Sequence, residues 1–221
     1  MSVLYLVRHG QSEWNRIGRI QGRSESPLTA LGREQAVALG RMLREVLPDP
    51  GIEIVASPLA RAFETATIIT GELGRAAGDV STDERINDFD VGVLAGYPGW
   101  DVVAADHPEL ARLRLEDPIR FHPPGGESGA DVLARARDFL AAREAAGRDT
   151  LAVCHGVINK FIRAAARGIT GGDIIALGED QEVVYRLDGA TETELRADRN
   201  TPESGQTHGD TLPGHAGQRG G

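Results

Sequence analysis

Cysteine is nearly absent from this chain: among 221 residues there is one, Cys154. No intrachain disulfide framework can form, and a reducing compartment is expected. Long apolar runs are missing too. No stretch approaches the roughly 18 consecutive apolar residues of a transmembrane helix. No signal peptide precedes the first apolar run, so the chain reads as cytoplasmic. Excess positive charge is also missing. The formal net charge is −9, which argues against nucleic acid or an anionic membrane surface as partner, because both favour basic patches. An anionic small substrate stays open, since a local basic pocket can sit in an acidic protein. There is no dense His/Asp/Glu set suggesting a metal site, no internal repeat, and no pattern pointing to a particular oligomeric state. What is present is globular composition, 26% charged and 40% hydrophobic, over a length that suits one domain with a ragged end.

Along the chain, strands alternate with helices. Residues 3–7, Val-Leu-Tyr-Leu-Val, form an apolar run that reads as a strand buried on both faces. A polar loop over 11–27 follows. Thr29 caps a predicted helix with Leu31, Ala36, Val37, Leu39, Met42, Leu43 and Val46 on its apolar face, ended by Pro48, Pro50 and Gly51. Residues 52–56 read as a second strand. Ser57 as N-cap, with Pro58 in the first helical position, opens a second helix to about residue 73, with Leu59, Phe63, Ala66, Ile69 and Thr70 inward. Residues 79–100 read as an acidic, Gly-rich connection, 101–115 as one helix and 117–128 as a Pro/Gly-rich loop. A helix over 128–146 carries Val132, Leu133, Ala136, Phe139 and Leu140 inward. A buried strand over 151–154 ends at His155-Gly156, and a helix with Val157, Ile158, Phe161, Ile162 and Ala165 follows. Two alternating strands fall at 182–187 and 192–197. Strands separated by helices imply an α/β fold, a three-layer, mostly parallel sheet with helices on both faces. Residues 1–197 read as one domain, and 198–221, Gly-rich with almost nothing to bury, as a disordered tail.

The chemistry concentrates where strands end. The first strand stops at Arg8-His9-Gly10, at the carboxyl edge of a sheet, where open α/β folds bind ligands. Arg offers a planar fork for phosphate. His offers a nitrogen nucleophile largely neutral near pH 7. Gly permits close backbone approach to a ligand. The later strand ends in His155-Gly156, and Ser57-Pro58-Leu59-Ala60-Arg61 puts Arg61 in the first turn of a helix that follows a strand. Each residue alone reads equally as a solvated charge or a packed strand end. Together they converge two imidazoles and two guanidiniums on one sheet edge, with a helix N-terminus adding N–H donors. That is a site for a dianion.

Five blocks carry a resemblance. They are residues 6–15, Leu-Val-Arg-His-Gly-Gln-Ser-Glu-Trp-Asn; Gln21-Gly22 with Pro27-Leu28-Thr29, Gly32 and Gln35-Ala36; residues 57–66; Gly125-Gly126-Glu127-Ser128; and Val153-Cys154-His155-Gly156. In this order they resemble the histidine phosphatase superfamily, also called phosphoglycerate mutase-like, over residues 3 to about 187. The resemblance implies that His9 is the nucleophile that becomes phosphohistidine. Arg8, Arg61 and His155 would hold the phosphoryl oxygens, Asn15 would support that pocket, and Gln11, Gln21 and Gly22 would lie near the substrate. Phosphoryl transfer needs positioning and charge neutralisation more than covalent skill, and Arg forks bind equatorial oxygens bidentately. The Arg/His cluster supplies that charge, so no metal or cofactor is expected.

The proton donor to the leaving group departs from the family pattern. Members like this one carry a Glu four residues before a Gly, in a block ending Gly-x-x-x-Gly. Here the block is Asn87-Asp88-Phe89-Asp90-Val91-Gly92-Val93-Leu94-Ala95-Gly96, so Asp88 takes that place. Asp is one methylene shorter and about 0.4 unit more acidic, and must be kept protonated by phosphate charge or burial before it donates. Asp83, Glu84 and Asp90 are rivals on the same loop. Glu25 stands where many members carry Asp. The reading expected from these residues is a metal-independent phosphatase acting on a small phosphorylated metabolite, the Gly125–Ser128 block resembling the phosphatase branch. A cofactor-dependent phosphoglycerate mutase is the alternative. Mutases of the family carry an Arg-Arg pair in the middle segment, whereas residues 97–128 hold only Arg112, Arg114 and Arg120. A low-turnover phosphate-binding module, motivated by Asp88 alone, is the third reading. Specificity is expected from residues 89–127, with Tyr97, Trp100, His107, Phe121 and His122 as candidates for the entrance.

Overall fold

The computed structural model describes residues 2–47 and 51–197. The expected tail over 198–221 and the helix-ending Pro48 and Pro50 lie outside the described residues. In chain order the elements are β1 (Val3–Arg8), α1 (Glu13–Arg16), α2 (Ala30–Val46), β2 (Glu53–Ala56), α3 (Ala60–Glu72), β3 (Val80–Thr82), α4 (Trp100–Asp106), α5 (Pro108–Glu116), α6 (Gly129–Ala146), β4 (Thr150–Cys154), α7 (Gly156–Arg167), α8 (Asp173–Ala176), β5 (Val183–Asp188) and β6 (Thr191–Arg196), with three short 3₁₀ turns.

The six strands form one sheet in the order β3-β2-β4-β1-β5-β6. β3, β2, β4 and β1 run parallel, and β5 and β6 add an antiparallel edge. Alternation along β1 divides its side chains between two cores. Leu4 and Leu6 pack with Val132, Phe139, Ile158 and Phe161 from α6 and α7. Tyr5 and Val7 pack with Leu39, Leu43, Ala66 and Ile69 from α2 and α3. Helices thus cover both faces, as parallel strands require.

The register fixes the edge at which these strands end. Arg8 pairs with Cys154, and Ala56 with Val153. The His9 amide then donates to the Cys154 carbonyl and the Ser57 amide to the Val153 carbonyl, both at 2.9 Å. Three parallel strands therefore end flush, delivering His9, Ser57 and His155 side by side.

Several elements differ from the sequence expectation, each for a physical reason. Residues 101–115 do not form one helix. α4 ends and α5 begins at His107, whose φ of −136° and ψ of 63° lie outside the helical region, because Pro108 clashes with a helical residue before it. α3 starts at Ala60 with Leu59 as its N-cap, not Ser57; the Ser57 hydroxyl stands 2.8 Å from His155 Nε2 instead. The buried stripe of α3 is Arg61, Ala62, Thr65, Ala66, Ile69 and Thr70, which rotates Phe63 out to 37% exposure. Ala66, Ile69 and Thr70 lie inward as expected; Phe63 was misplaced because the inward face at the start of the helix carries Arg61 and Thr65 instead of apolar residues. Val46, the last residue of α2, is exposed as well. β3 was hidden in the acidic connection: at three residues it is too short for an alternation pattern. α1, a single turn capped by Ser12 inside the polar loop, is likewise too short to show periodicity.

Candidate active site

His9 follows β1 and is 2% exposed. Its ring partners assign its tautomer. Nδ1 lies 2.7 Å from the Gly10 carbonyl, which only accepts, so Nδ1 carries the proton. Nε2 keeps its lone pair and accepts from Arg61 Nε at 3.2 Å. Burial, then the nearby Arg61 and Arg8 charges, hold the imidazole well below its ordinary pKa of 6.5. His9 is thus a neutral imidazole with an unprotonated Nε2. The Gly10 α-carbon serves a different neighbour from the expected ligand: a side chain there would strike the Gly32 carbonyl of α2, and one at Gly32 would strike Gln11.

His155 caps α7 and its ring stands edge-on to His9, centroids 5.1 Å apart. Burial and the Arg61 charge keep it neutral as well. Because both histidines are neutral in the fold and titrate lower than in the unfolded chain, unfolding takes up protons. The stability they contribute is whole above pH 6.5 and is lost as pH falls through their folded values. Asp88 runs the other way, since burial raises its carboxyl pKa. With two imidazoles against one carboxyl, the thermal unfolding midpoint is expected to fall steadily from about pH 6.5 towards about pH 5. A flat profile over that interval, measured by calorimetry, would show that neither histidine is held neutral by the fold.

Arg61 is fully buried. Its fork donates to the carbonyls of Ser24 (2.9 Å) and Gly22 (2.7 Å) and to Asp88 Oδ2 (3.0 Å), leaving Nε directed at His9. The bidentate fork expected of Arg61 is thus spent on the protein. Gly22 has φ of 54° and a side chain there would collide with Val91 and Phe89, so glycine is required to bring its carbonyl to Arg61. Glu25, to which the sequence assigned no role, accepts from the Ala60 amide at 3.3 Å and so puts a carboxylate at the N-terminus of α3.

Asp88 lines the cleft, with Oδ2 also 3.6 Å from His155 Nδ1. Burial outweighs the Arg61 charge and raises its pKa from the ordinary 3.8. The rivals point elsewhere. Asp83 is paired with Arg85 at 2.6 Å, Glu84 accepts from Asn87, and Asp90 accepts from the Gly92 amide. The loop that carries Asp88 is clamped by Arg135 of α6, which donates to the carbonyls of Arg85, Asn87 and Asp88 while bonding Glu127. The Gly125-Gly126 block packs under the same loop, where a side chain at Gly126 would strike the Asp90 carbonyl.

His9 and Asp88 open into a cleft of about 150 Å³ that Arg8, Asn15, Gln21 and Gly22 also line. Arg8 Nη1 donates to the Glu179 carbonyl at 2.8 Å, and its Nε is buried with no partner among the described residues. Gln11 is not brought to the cleft; its Oε1 accepts from Thr29 Oγ1. Of the entrance candidates, Trp100 lines the cleft and Phe121 its apolar extension. Tyr97 and His107 bond each other and His122 bonds Gly126. Sequence reasoning missed Arg19, Lys160 and Glu179 on the walls, and left Arg114 unassigned. Arg114 stacks 4.0 Å over Trp100, and Lys160 pairs with Glu179 at 3.4 Å. The available signal was a charge on a helix face otherwise buried, as at Lys160 beside Phe161 and at Arg135 beside Ala136. Among the described residues no cluster of three or more His, Cys, Asp or Glu has the arrangement to hold a metal ion, and no helix is long and apolar enough to cross a membrane.

Comparison with known proteins agrees with this geometry. A family model described as histidine phosphatase superfamily (branch 1) matches residues 4–197. A glucosyl-3-phosphoglycerate phosphatase of Mycolicibacterium vanbaalenii is 36% identical over 175 residues, covering 75% of this chain and 74% of that one. A probable phosphoglycerate mutase of Citrobacter koseri is 36% identical over 160 residues, 71% of each chain. Among solved structures, a mycobacterial glucosyl-3-phosphoglycerate phosphatase in complex with VO3 is 31% identical with a TM-score of 0.73, covering 90% of this chain and 98% of that one.

Proposed function

This chain belongs to the histidine phosphatase superfamily, and we propose that it hydrolyses a small phosphomonoester through a phosphohistidine at His9, without a metal. The observation that carries the reading is the His9 imidazole itself, neutral, with Nε2 unprotonated and its electron pair held by a single hydrogen bond from Arg61 Nε. In the first step that pair attacks phosphorus. The ester P–O bond breaks and its electrons stay on the leaving oxygen, which takes the proton of Asp88. In the second step water attacks phosphorus, the P–Nε2 bond breaks with its electron pair returning to Nε2, Asp88 recovers the water's proton, and neutral His9 and inorganic phosphate result. Burial, the leading influence on Asp88, favours the protonated form that the first step needs. Arg8, Arg61 and His155 stabilise the charge on the transferring group. Gln21 and Gly22 shape its rim.

Arg114 and Lys160 on the cleft wall, Lys160 in a pair with Glu179, suit a leaving group whose negative charge would take the place of that carboxylate. Glucosyl-3-phosphoglycerate, on which one relative acts, is of that kind. The same wall supports the second reading, a phosphoglycerate mutase, which several relatives' names carry. An assay of the purified protein on a panel of phosphomonoesters separates them. Steady, stoichiometric release of phosphate is expected, and from an aryl phosphate it also excludes a mere phosphate-binding module. Rapid interconversion of 3-phosphoglycerate in the presence of its bisphosphate cofactor, without free phosphate, would establish the mutase instead.

Asp88→Asn is expected to lower kcat by about 10²–10⁴-fold on alkyl phosphates, whose leaving oxygen needs the proton, and far less on nitrophenyl phosphate. An equal loss on both substrates would remove Asp88 from the donor role.

A further inference from the structure

The segment 177–182 between α8 and β5 crosses the catalytic edge as a pinned strap. Arg163 Nη1 donates to the Gly178 carbonyl at 2.6 Å, Arg8 Nη1 to the Glu179 carbonyl at 2.8 Å, and the Asp180 amide to the Tyr185 hydroxyl at 3.2 Å. The strap thereby holds Gln181 over the centre. Gln181 Nε2 has two protons and finds two acceptors, the His9 carbonyl and Asn15 Oδ1, each at 3.1 Å. The His9 carbonyl only accepts, which assigns the Gln181 amide without ambiguity.

The consequence falls on Asn15, which lines the cleft. Its Oδ1 has a second donor, the Ser12 amide, but at 3.3 Å that bond is long. With Oδ1 occupied by two donors, the other end of the amide, Nδ2, offers two N–H groups that have no partner among the described residues. An Asn amide is nearly symmetric in shape, so packing alone does not decide which end faces a ligand; its hydrogen bonds do. Flipped, Asn15 would set a carbonyl oxygen against a phosphoryl dianion.

We infer that Gln181 is a positioning residue: it fixes the Asn15 amide so that N–H donors, not a carbonyl oxygen, are presented to the transferring phosphoryl group. This rests on the phosphomonoesterase reading above and adds a residue outside the five sequence blocks.

The test is a double-mutant cycle between positions 181 and 15, read in turnover and in the affinity for orthovanadate. Gln181→Leu removes the donor. Gln181→Glu replaces it with an acceptor, which draws Asn15 Nδ2 towards itself and turns Oδ1 to the cleft. Gln181→Glu is expected to lower kcat and orthovanadate affinity by about 10–100-fold, with Gln181→Leu intermediate, and with KM changing much less than kcat. In the Asn15→Ala background the same substitutions are expected to change either quantity by less than about twofold. Equal losses in both backgrounds, or a lowered unfolding midpoint with kcat intact, would overturn the positioning role and leave Gln181 a structural tie. Orthovanadate binding needs no turnover. A chain that keeps the coupling in orthovanadate affinity yet releases no phosphate from any ester overturns the hydrolase reading alone. One that releases phosphate without the coupling overturns the positioning role alone.

Discussion

The His9→Ala variant is expected to lose turnover by roughly 10⁴-fold or more, the loss typical when a covalent nucleophile is removed. The size follows from the proposed chemistry. With the imidazole gone, no other side chain in the cleft offers a neutral nitrogen lone pair: Arg8, Arg114 and Lys160 are cations, and His155 is turned with Nε2 on Ser57 and Nδ1 towards Asp88. Arg8 and Arg61 would remain, so the variant should still bind inorganic phosphate. Its unfolding midpoint should move little, because a buried neutral imidazole is exchanged for a smaller group beside an Arg61 fork that keeps its carbonyl partners. Labelling quenched in detergent at alkaline pH gives the direct readout, a base-stable and acid-labile phosphoenzyme in the native chain and none in the variant. If His9→Ala retained activity within about tenfold, no phosphohistidine step could be part of the reaction.

Arg61→Ala is expected to damage both fold and chemistry. The guanidinium is 0% exposed and is the ion partner of Asp88 as well as the donor to the Gly22 and Ser24 carbonyls. Removing one member of a buried ion pair costs about 3–5 kcal/mol, chiefly through the charge left without a partner. For a chain of this size each kcal/mol is worth about 2–4 °C, so the unfolding midpoint should fall by roughly 10 °C. Activity should fall by about 10²–10³-fold, since a charge beside the His9 Nε2 position disappears. The double variant Arg61→Ala with Asp88→Asn distinguishes the causes. Without a buried carboxylate to strand, it should recover part of the lost midpoint but none of the activity. A double variant no more stable than Arg61→Ala alone would mean that the orphaned carbonyls, not Asp88, account for the loss.

Much of this site was legible because its information is local. The apolar run before Arg8, the strand before His155 and the Thr29 cap are each written in a few consecutive residues, and all three appear in the structure where expected. Asp88 was singled out by its distance from Gly92 and Gly96, and in the structure it lines the cleft while Asp83, Glu84 and Asp90 find partners elsewhere. Ala66, Ile69 and Thr70 of α3 are buried as expected, whereas Phe63 is not, because hydrophobicity was the guide and the first turns of the inward face carry Arg61 and Thr65. The break at His107 was readable in principle from Pro108.

By itself, then, the sequence determined the alternation of strands and helices, the strand-end residues Arg8, His9 and His155, the helix-borne Arg61 and the acid at position 88, because backbone preference and short-range motif are properties of neighbouring residues. Only the tertiary structure decided which atoms meet. The flush register of β1, β4 and β2 sets the two imidazoles 5.1 Å apart. Burial keeps His9 neutral and raises the Asp88 pKa. The strap places Gln181 on Asn15 across 166 positions of chain. Desolvation, charge proximity and hydrogen bonds of that span depend on the folded arrangement of distant segments, and no window of the sequence contains them.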